Sequence, residues 1–260
     1  MIDPLMFIAL LPAVVLVVYI CRKDRTDKEP PALLVKLLGF GALSCLPAIV
    51  VELILSAVIE RLNVRNVYLG YFLEAFVVAG LTEETCKFLF LRTTWRNPAF
   101  DYQFDAIVYA VMVALGFAAF ENVKYVYSYG FATGIVRAVT AVPGHAIFGV
   151  FMGYFYGYAK LSDYWGRGED RKAYLALSVV VPVLLHGCYD FLAFAQESDS
   201  RFTLLFYAYL IALYVFGIRR VNRSARDDRR VTRETVFDYF RRMQYPMPPQ
   251  YRDRNDDFWR

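Results

Sequence analysis

The sequence has few of the residues that most often build covalent cross-links. It contains four cysteines in 260 residues, and they show no paired spacing. All four lie in or beside apolar runs, so neither a disulfide framework nor a cysteine-rich zinc site is indicated. These cysteines are Cys21, Cys45, Cys86 and Cys188.

Charged residues are also sparse, at 21% of the chain. Hydrophobic residues make up 58%, whereas a soluble domain is usually about 45–50% apolar. Aromatic residues reach 17%, and the mean hydropathy is +0.35. This composition excludes a disordered chain and an ordinary cytosolic enzyme. It predicts one polytopic membrane domain with a charged appendage.

Seven stretches approach the roughly 20 largely apolar residues that a membrane-spanning helix needs. We therefore predict an all-α polytopic membrane bundle of about seven transmembrane helices. No basic residue precedes the first stretch and a basic cluster follows it, which favours an uncleaved span over a signal peptide. The stretches are Leu5–Cys21, Leu33–Ile59, Val67–Leu91, Phe104–Phe120, Val136–Tyr158, Ala173–Phe194 and Phe202–Ile218.

Basic residues in the connecting loops predict the orientation of the bundle. With the N-terminus outside, the cytoplasmic loops hold ten lysines and arginines, and the opposite loops hold five. This distribution follows the positive-inside rule. We predict a multi-pass protein of the cell membrane with its N-terminus outside and its C-terminus in the cytoplasm.

The C-terminal segment differs sharply from the rest of the chain. We divide the chain into a transmembrane domain, residues 1–218, and an Arg-rich cytoplasmic tail, residues 219–260. The tail has 12 Arg, no Lys and 7 acidic residues, so it accounts for the net charge of +4 of the whole chain. It is either a solvated segment that fixes topology or a segment that binds the anionic inner leaflet.

Charged side chains within the apolar stretches require an explanation, because each costs about 2.5–3.5 kcal/mol near a helix centre. Lys87 follows Glu83 by four residues and Glu84 by three, so it can reach back to either carboxylate. A structural ion pair needs only one of them. The second points about 100° further round the helix, and we expect it to remain unpaired. This excess predicts a functional role for the glutamate pair.

Both histidines also fall inside predicted spans. His145 is followed at helical spacing by three glycines, a ridge that lets another helix approach closely. His186 and Asp190 are four residues apart and share a helix face. Glu121 closes the fourth span near the membrane edge, where it could be solvated or paired with Lys124.

Separate apolar sites for four carboxylates would cost on the order of 10 kcal/mol. We therefore predict one shared, partly hydrated site. Glu52 and Glu74 lack comparable neighbours, and we expect them at helix seams or at the membrane interface. The predicted site residues are Glu83, Glu84, Glu121, His145, His186 and Asp190, supported by Lys87 and Asn122.

This set of residues supports hydrolysis of an amide by either of two routes. A glutamate can take a proton from water while another carboxylate and the histidines orient the water and stabilise the oxyanion. Alternatively, two histidines and a glutamate hold zinc and another glutamate is the base. The candidate ligands are then Glu121, His145 and His186. The sequence lacks a His-Glu-x-x-His helix, so spacing leaves the cofactor open.

Four short motifs, in order on successive spans, resemble the PrsW family of polytopic membrane proteases. This family is related to the CAAX-processing and bacteriocin-immunity membrane protease superfamily. The resemblance covers about residues 1–220 and is strengthened by the sequence ALGFAAFEN at 114–122. The motifs are Glu83-Glu84-x-x-Lys87, Phe117-x-x-x-Glu121, His145-x-x-x-Gly149 and His186-x-x-x-Asp190.

The resemblance implies a bacterial intramembrane endopeptidase that makes the site-1 cut in a membrane-anchored anti-sigma factor. It implies that Glu83 or Glu84, with His145, activates water and that His186 helps to bind the oxyanion. The CAAX-protease relatives often carry Asn at the last motif position, where this chain has Asp190. Because a carboxylate is a poor oxyanion donor, we expect Asp190 to orient His186 or to ligate a metal. The implied partners are a membrane-anchored protein and the lipid bilayer, with no nucleic acid.

Two other functions fit the same residues. A proton- or cation-coupled transporter also uses intramembrane carboxylates and histidines. An odd number of spans and the lack of an evident internal repeat argue against it. A catalytically inactive relative that acts as a binding partner is the second alternative, and a cleavage assay separates it from a protease.

Overall fold

The computed structural model describes residues 3–25 and 27–231, and these residues form a helical bundle. No β-strand occurs in this part of the chain, which confirms the predicted all-α class. The helices are α1 (Pro4–Lys23), α2 (Pro31–Arg61), α3 (Val67–Phe72), a π-helical segment (Leu73–Leu81), α4 (Thr82–Leu91), a 3₁₀ turn (Arg92–Thr94), α5 (Asp105–Tyr129), α6 (Phe131–Val139), α7 (Ala141–Tyr164), α8 (Gly168–Ala195) and α9 (Arg201–Arg226).

Six helical stretches are long and apolar enough to cross a membrane, with α6 and α7 taken together as one. The predicted third span, Val67–Leu91, is also helical throughout, but it consists of α3, the π-helical segment and α4. Its 25 residues exceed the roughly 20 that a crossing needs. The prediction of a polytopic bundle is confirmed, and one of its seven predicted spans is interrupted by the wider π-helical turns.

Contacts between helix ends define two opposite faces of the bundle. On one face, the Tyr127 hydroxyl at the end of α5 donates to the Asp3 carboxylate. On the other, Lys23 Nζ at the end of α1 donates to Asn222 Oδ1 of α9 at 2.6 Å. We call these the Asp3 face and the Lys23 face. The chain thus enters α1 at the Asp3 face and leaves α9 at the Lys23 face, as an odd number of crossings requires.

Helix α5 continues nine residues past its predicted end. Glu121 and Asn122 interrupt the apolar pattern, but Asn122 is fully buried and its Nδ2 donates to Ala9 O at 2.8 Å. Because a satisfied polar group is tolerated inside a bundle, the helix runs to Tyr129. It ends at Gly130, whose φ of 88° favours glycine. Glu121 therefore does not close the helix, which continues eight residues beyond it.

The predicted span Val136–Tyr158 is divided at Thr140 into α6 and α7. Pro143 has no N–H, and its ring clashes with a helical carbonyl four residues earlier, at Val139. The Tyr214 hydroxyl of α9 contacts the carbonyls of Val139 and Thr140, so these polar groups keep a partner. The break leaves α6 as a separate short helix close to the Asp3 face.

Helix α9 passes through the predicted boundary at residues 218 and 219 and ends at Arg226. The chain then returns to the loop before α5. The Gln103 N–H donates to Arg229 O at 2.8 Å, and the Val231 N–H donates to Asp101 O at 2.6 Å. The first part of the Arg-rich tail, residues 219–231, therefore packs on the bundle, and residues 232–260 lie outside the described part of the chain.

Helix α5 forms the centre of the bundle, where every residue of Asp105–Ala118 is buried. Two glycines let neighbouring backbones reach it. A Cβ at Gly41 of α2 would lie 2.0 Å from Val113 O, and one at Gly153 of α7 would lie 2.4 Å from Ala106 O. The close approach predicted for the glycine ridge of α7 is confirmed. It holds the histidine of α7 against the glutamate of α5.

Candidate active site

The structure brings the six predicted site residues together between α4, α5, α7 and α8. Five of them line one cavity of about 350 Å³, which we call the site cavity. Glu84 lies behind this cavity and is fully buried. The five lining residues are Glu83, Glu121, His145, His186 and Asp190.

Small residues let α8 pack directly on the π-helical segment. A Cβ at Gly80 would lie 3.2 Å from Val183 O and 3.3 Å from Gly187 N. A Cβ at Gly187 would lie 2.3 Å from the Phe76 ring. Because neither position has a side chain, the backbones touch, and His186 comes within hydrogen-bonding distance of the first turn of α4.

Lys87 lies at the centre of the buried polar residues of the site. Its Nζ lies 2.7 Å from Glu84 Oε1, 3.1 Å from Glu83 Oε2 and 3.2 Å from His145 Nδ1. It also lies 4.0 Å from the centroid of the Phe117 ring, a cation–π contact. The expectation that one glutamate stays unpaired is wrong, because the ammonium lies between the two carboxylates and contacts both.

The imidazole of His186 is held at both nitrogens. Its Nδ1 lies 2.9 Å from Glu84 Oε1, and its Nε2 lies 3.2 Å from Asp190 Oδ2. The ring stacks on Phe148 with centroids 4.9 Å apart. These contacts leave the ring little freedom to rotate. The expectation that Asp190 orients His186 agrees with this contact.

We call Glu83, Glu84 and Lys87 the α4 group. His145 connects this group to Glu121 of α5. Its Nδ1 faces Lys87, and its Nε2 lies 3.0 Å from Glu121 Oε2. The two imidazole rings lie at right angles with centroids 5.2 Å apart. Since Glu121 contacts Nε2, it lies on the side of the imidazole that faces away from Lys87, Glu83 and Glu84.

Arg137 of α6 is a site residue that the sequence pattern did not predict. Its Nη2 lies 2.6 Å from Glu121 Oε2, and its Nε donates to Asn122 Oδ1 at 2.9 Å. The guanidinium carbon lies 3.9 Å from the centroid of the Tyr125 ring. The sequence offered Lys124 as the partner of Glu121, but among the described residues Glu121 pairs with Arg137 and a histidine instead. The signal in the sequence was Glu121 itself, because a carboxylate within a membrane-spanning helix needs a nearby cation.

The site cavity extends past the histidines towards α2 and the π-helical segment. Glu52 and Glu74 line this part of it. The Ser56 hydroxyl of α2 donates to Glu74 Oε2 at 3.2 Å, which is the helix-seam hydrogen bond expected for Glu74. Both glutamates therefore belong to the wall of the site cavity, and Glu74 also lies at the helix seam.

The donor atoms at the centre fit a divalent metal. Glu83, Glu84, His145 and His186 each offer a ligand atom, and these atoms lie within 4.8 Å of one another. Ligands of a tetrahedral zinc ion are about 3.4 Å apart, so small side-chain shifts would close the group around one ion. Glu84 Oε2 is buried without a hydrogen-bond partner in the described part of the chain. A bound ion would share these donors with the Lys87 ammonium or displace it.

The fold and the site together define a polytopic membrane protein whose buried carboxylates and imidazoles can activate water, as a membrane-embedded hydrolase requires. The comparison with protein families agrees. The family model described as "PrsW family intramembrane metalloprotease" matches residues 29–218. The chain belongs to this family and is therefore an intramembrane protease, which favours hydrolysis over transport.

Relatives named Protease PrsW resemble most of the chain. The protein from Oceanobacillus iheyensis is 34% identical over 214 residues, which cover 82% of this chain and 92% of that protein. The protein from Bacillus subtilis is 33% identical with the same coverage. The protein from Clostridioides difficile is 31% identical over 232 residues, or 87% of this chain and 94% of that protein. No solved structure matches the chain.

Proposed function

We propose that the protein hydrolyses a peptide bond of a membrane-anchored protein with a zinc ion held by Glu84, His145 and His186 and with Glu83 as general base. The observation that carries this proposal is the buried group of donor atoms within 4.8 Å of one another beside the site cavity. Two histidines and one glutamate are a common ligand set for catalytic zinc, which leaves one position open.

The two neighbouring glutamates are suited to different tasks. The Glu84 side chain is fully buried and does not line the site cavity, so it can hold a metal but cannot reach a substrate. The Glu83 side chain lines that cavity and lies 3.1 Å from Lys87. Its carboxylate is therefore the group that accepts a proton from the attacking water and returns it to the leaving nitrogen. A zinc ion, when bound, supplies Lewis acidity towards the water and the scissile carbonyl.

The contacts support an orienting role for Glu121 and Asp190. Each carboxylate binds the Nε2 of one histidine, while both Nδ1 atoms face the α4 group. Carboxylates that accept a hydrogen bond from a metal-binding imidazole fix its tautomer and orientation. Glu121 contacts His145 on the side away from the other donors, which supports this role over direct ligation.

A membrane-anchored anti-sigma factor, cleaved at its first site on the outer side, is the substrate that we propose. The resemblance to the PrsW family supports this choice. The depth of the site also supports it: His145 lies four residues from the start of α7, and Asp190 lies five residues from the end of α8. Both helix ends belong to the Asp3 face. The basic loops lie at the Lys23 face, which supports an Asp3 face outside the cell.

A cleavage assay tests the assignment of the site. The protein is reconstituted with a membrane-anchored substrate, and Glu83→Gln, Glu84→Gln and His145→Ala are compared with the wild type. Each of these three should lose most of its activity. Glu60→Gln, at the exposed end of α2, is the matched control and should keep it. Full cleavage by all three site variants would refute the assignment.

The substrate requires a separate experiment. Membrane-protein fragments are compared by mass spectrometry in cells with the wild-type chain and with Glu83→Gln. The expected result is an anti-sigma factor fragment, cut on the outer side of its anchor, that is present only with the wild type. Fragments from an unrelated membrane protein would support the protease function but reject an anti-sigma factor as its substrate.

A further inference from the structure

Two adjoining cavities lie along α9, away from the site cavity: one is between α7, α8 and α9, and the other is between α5, α7 and the end of α9. The larger one, about 510 Å³, is an apolar groove that opens beside the membrane-spanning part of α9. The smaller one, about 230 Å³, is a polar pocket near the Lys23 face. Arg220 and Arg223 line both. The groove is also lined by Phe151, Leu185, Tyr209, Ala212, Leu213, Phe216 and Arg219, and the pocket by Tyr154, Tyr158, Ser224, Arg229 and the carboxylate Asp227.

The groove has the length of one membrane leaflet. The groove follows α9 from Tyr209 to Arg223, 14 residues apart, and a helix rises 1.5 Å per residue, so this distance is about 21 Å. Half of a hydrocarbon core is about 15 Å thick, and the headgroup region adds several more. The apolar residues lie towards the middle of the membrane, and the arginines lie at the end where headgroups are found.

The arginines keep hydrogen-bond donors available. The Arg220 guanidinium stacks on the Tyr154 ring at 4.0 Å, and no carboxylate of the described residues lies within 4.0 Å of it. Arg223 contacts Asp227 at 3.5 Å, and its side chain is 71% exposed. A guanidinium has five N–H donors in a planar fork that matches phosphate oxygens. Two such groups at the end of an apolar groove suit a ligand with an anionic head and an apolar tail.

We propose that this groove and pocket bind one anionic phospholipid, with its phosphate on Arg220 and Arg223 and an acyl chain along α9. Basic pockets between membrane helices recognise anionic headgroups in this way. The other candidate occupant is segment 232–260 of the chain itself. That segment has six arginines and five acidic residues, so its charge does not complement an arginine pocket. The lipid site goes beyond the proposed protease function and does not depend on it.

Lipid titrations of the purified full chain test this site by native mass spectrometry. The probes are phosphatidylglycerol, phosphatidylcholine with the same acyl chains, and inorganic phosphate. Phosphatidylglycerol should bind at least about 10-fold more tightly than either of the others. Arg220→Gln with Arg223→Gln should weaken its binding roughly 10- to 30-fold. Arg167→Gln with Arg226→Gln removes the same charge from the same face outside both cavities, and should change binding less than about 3-fold.

A variant of the apolar wall separates a site from a general charge effect. Ala212→Trp fills the groove and leaves the charge unchanged, so it should weaken phosphatidylglycerol binding as strongly as the loss of the arginines. Equal binding of both lipids would show ordinary annular lipid and overturn the proposal. Equal effects of the two arginine pairs would also overturn it.

A photoreactive side chain at position 212 identifies the occupant directly. In membranes that contain phosphatidylglycerol, the full chain should form an adduct with the phospholipid. An adduct with residues 232–260 would show that the groove holds the chain's own tail, and the lipid site would then be rejected.

Discussion

Arg137 Nη2 lies 2.6 Å from Glu121 Oε2, and the same oxygen lies 3.0 Å from His145 Nε2. A short helix at the Asp3 face is thus connected through one carboxylate oxygen to the centre of the site. The Arg137 side chain is only 14% exposed, so the ion pair is largely shielded from water. Rotation of Glu121 would remove this carboxylate from both the Arg137 guanidinium and His145 Nε2.

Replacing Arg137 should therefore slow catalysis without abolishing substrate binding. We expect Arg137→Gln to lower kcat about 10- to 100-fold, as loss of the partners that orient a metal-binding histidine does, with little change in KM. Arg137→Lys should recover part of kcat, because it restores the charge. Arg201→Gln is the control, since that arginine is exposed and pairs with Asp199. Steady-state cleavage kinetics measure all three, and an unchanged kcat in Arg137→Gln would contradict the connection.

Helical spacing predicts contacts within one helix but not the contact between Arg137 and Glu121. His186 and Asp190 are four residues apart, and Lys87 lies within four of both glutamates, so helical spacing alone brings them together. The contact between Arg137 and Glu121 instead depends on a turn at Gly130 and a helix break at Thr140, neither of which follows from hydrophobic periodicity.

The sequence also does not predict which way the side chains of Glu83 and Glu84 point. Nine residues, Leu73–Leu81, form π-helical turns directly before Glu83 and Glu84. A π-helix bonds i to i+5, so the faces of later residues cannot be assigned with a period of 3.6. For the same reason, the sequence could not tell which glutamate lines the site cavity and which one is buried behind it.

The two glutamates should differ when metal content and turnover are measured separately. Glu84→Gln should weaken metal binding by at least about 100-fold and lose activity as a consequence. Glu83→Gln should keep close to the wild-type metal content but lose about 10²- to 10⁴-fold in kcat, because a general base is removed. Elemental analysis and cleavage kinetics on the same samples test this. If Glu83→Gln loses the metal and Glu84→Gln keeps it, the two roles are exchanged.

Removal of the bound metal should stop cleavage while leaving the fold intact. The buried ion pairs of Lys87 with both glutamates do not require an ion, so the chelator-treated protein should still melt cooperatively. Activity should return when zinc is added back. Cleavage that persists after elemental analysis finds no metal would instead favour the direct glutamate mechanism.

Lys87→Met should make the protein's stability depend on metal. It leaves two buried carboxylates without their cation, a loss of about 3–5 kcal/mol for broken buried pairs, or very roughly 6–20 °C in Tm. Zinc should raise the Tm of Lys87→Met by more than it raises the Tm of the wild type, because it supplies positive charge to the same carboxylates. Lys124→Met is the control, since Lys124 lines the site cavity without an ion pair to any described residue. Equal gains from zinc in both variants would place the metal elsewhere.

Two glycines of α2 provide a matched test of the packing that supports the site. A Cβ at Gly41 would lie 2.0 Å from Val113 O and 2.8 Å from Phe117 N, whereas one at Gly39 would have nothing within 4 Å. Gly41→Ala should push α2 from α5 and cost about 1–3 kcal/mol or more. Gly39→Ala should instead stabilise the protein by about 0.5–1 kcal/mol through helix propensity.

The same pair of variants also reports on the site, because the ring of Phe117 lies beneath the Lys87 ammonium at 4.0 Å. Displacing this part of α5 moves the ring that holds the ammonium between the two glutamates. Gly41→Ala should therefore lower kcat even when it is measured at temperatures at which this variant is fully folded. Gly39→Ala should leave kcat unchanged. Thermal melts and cleavage kinetics on both variants decide this. A destabilised Gly41→Ala with normal kcat would show that α2 supports the fold but does not position the catalytic group.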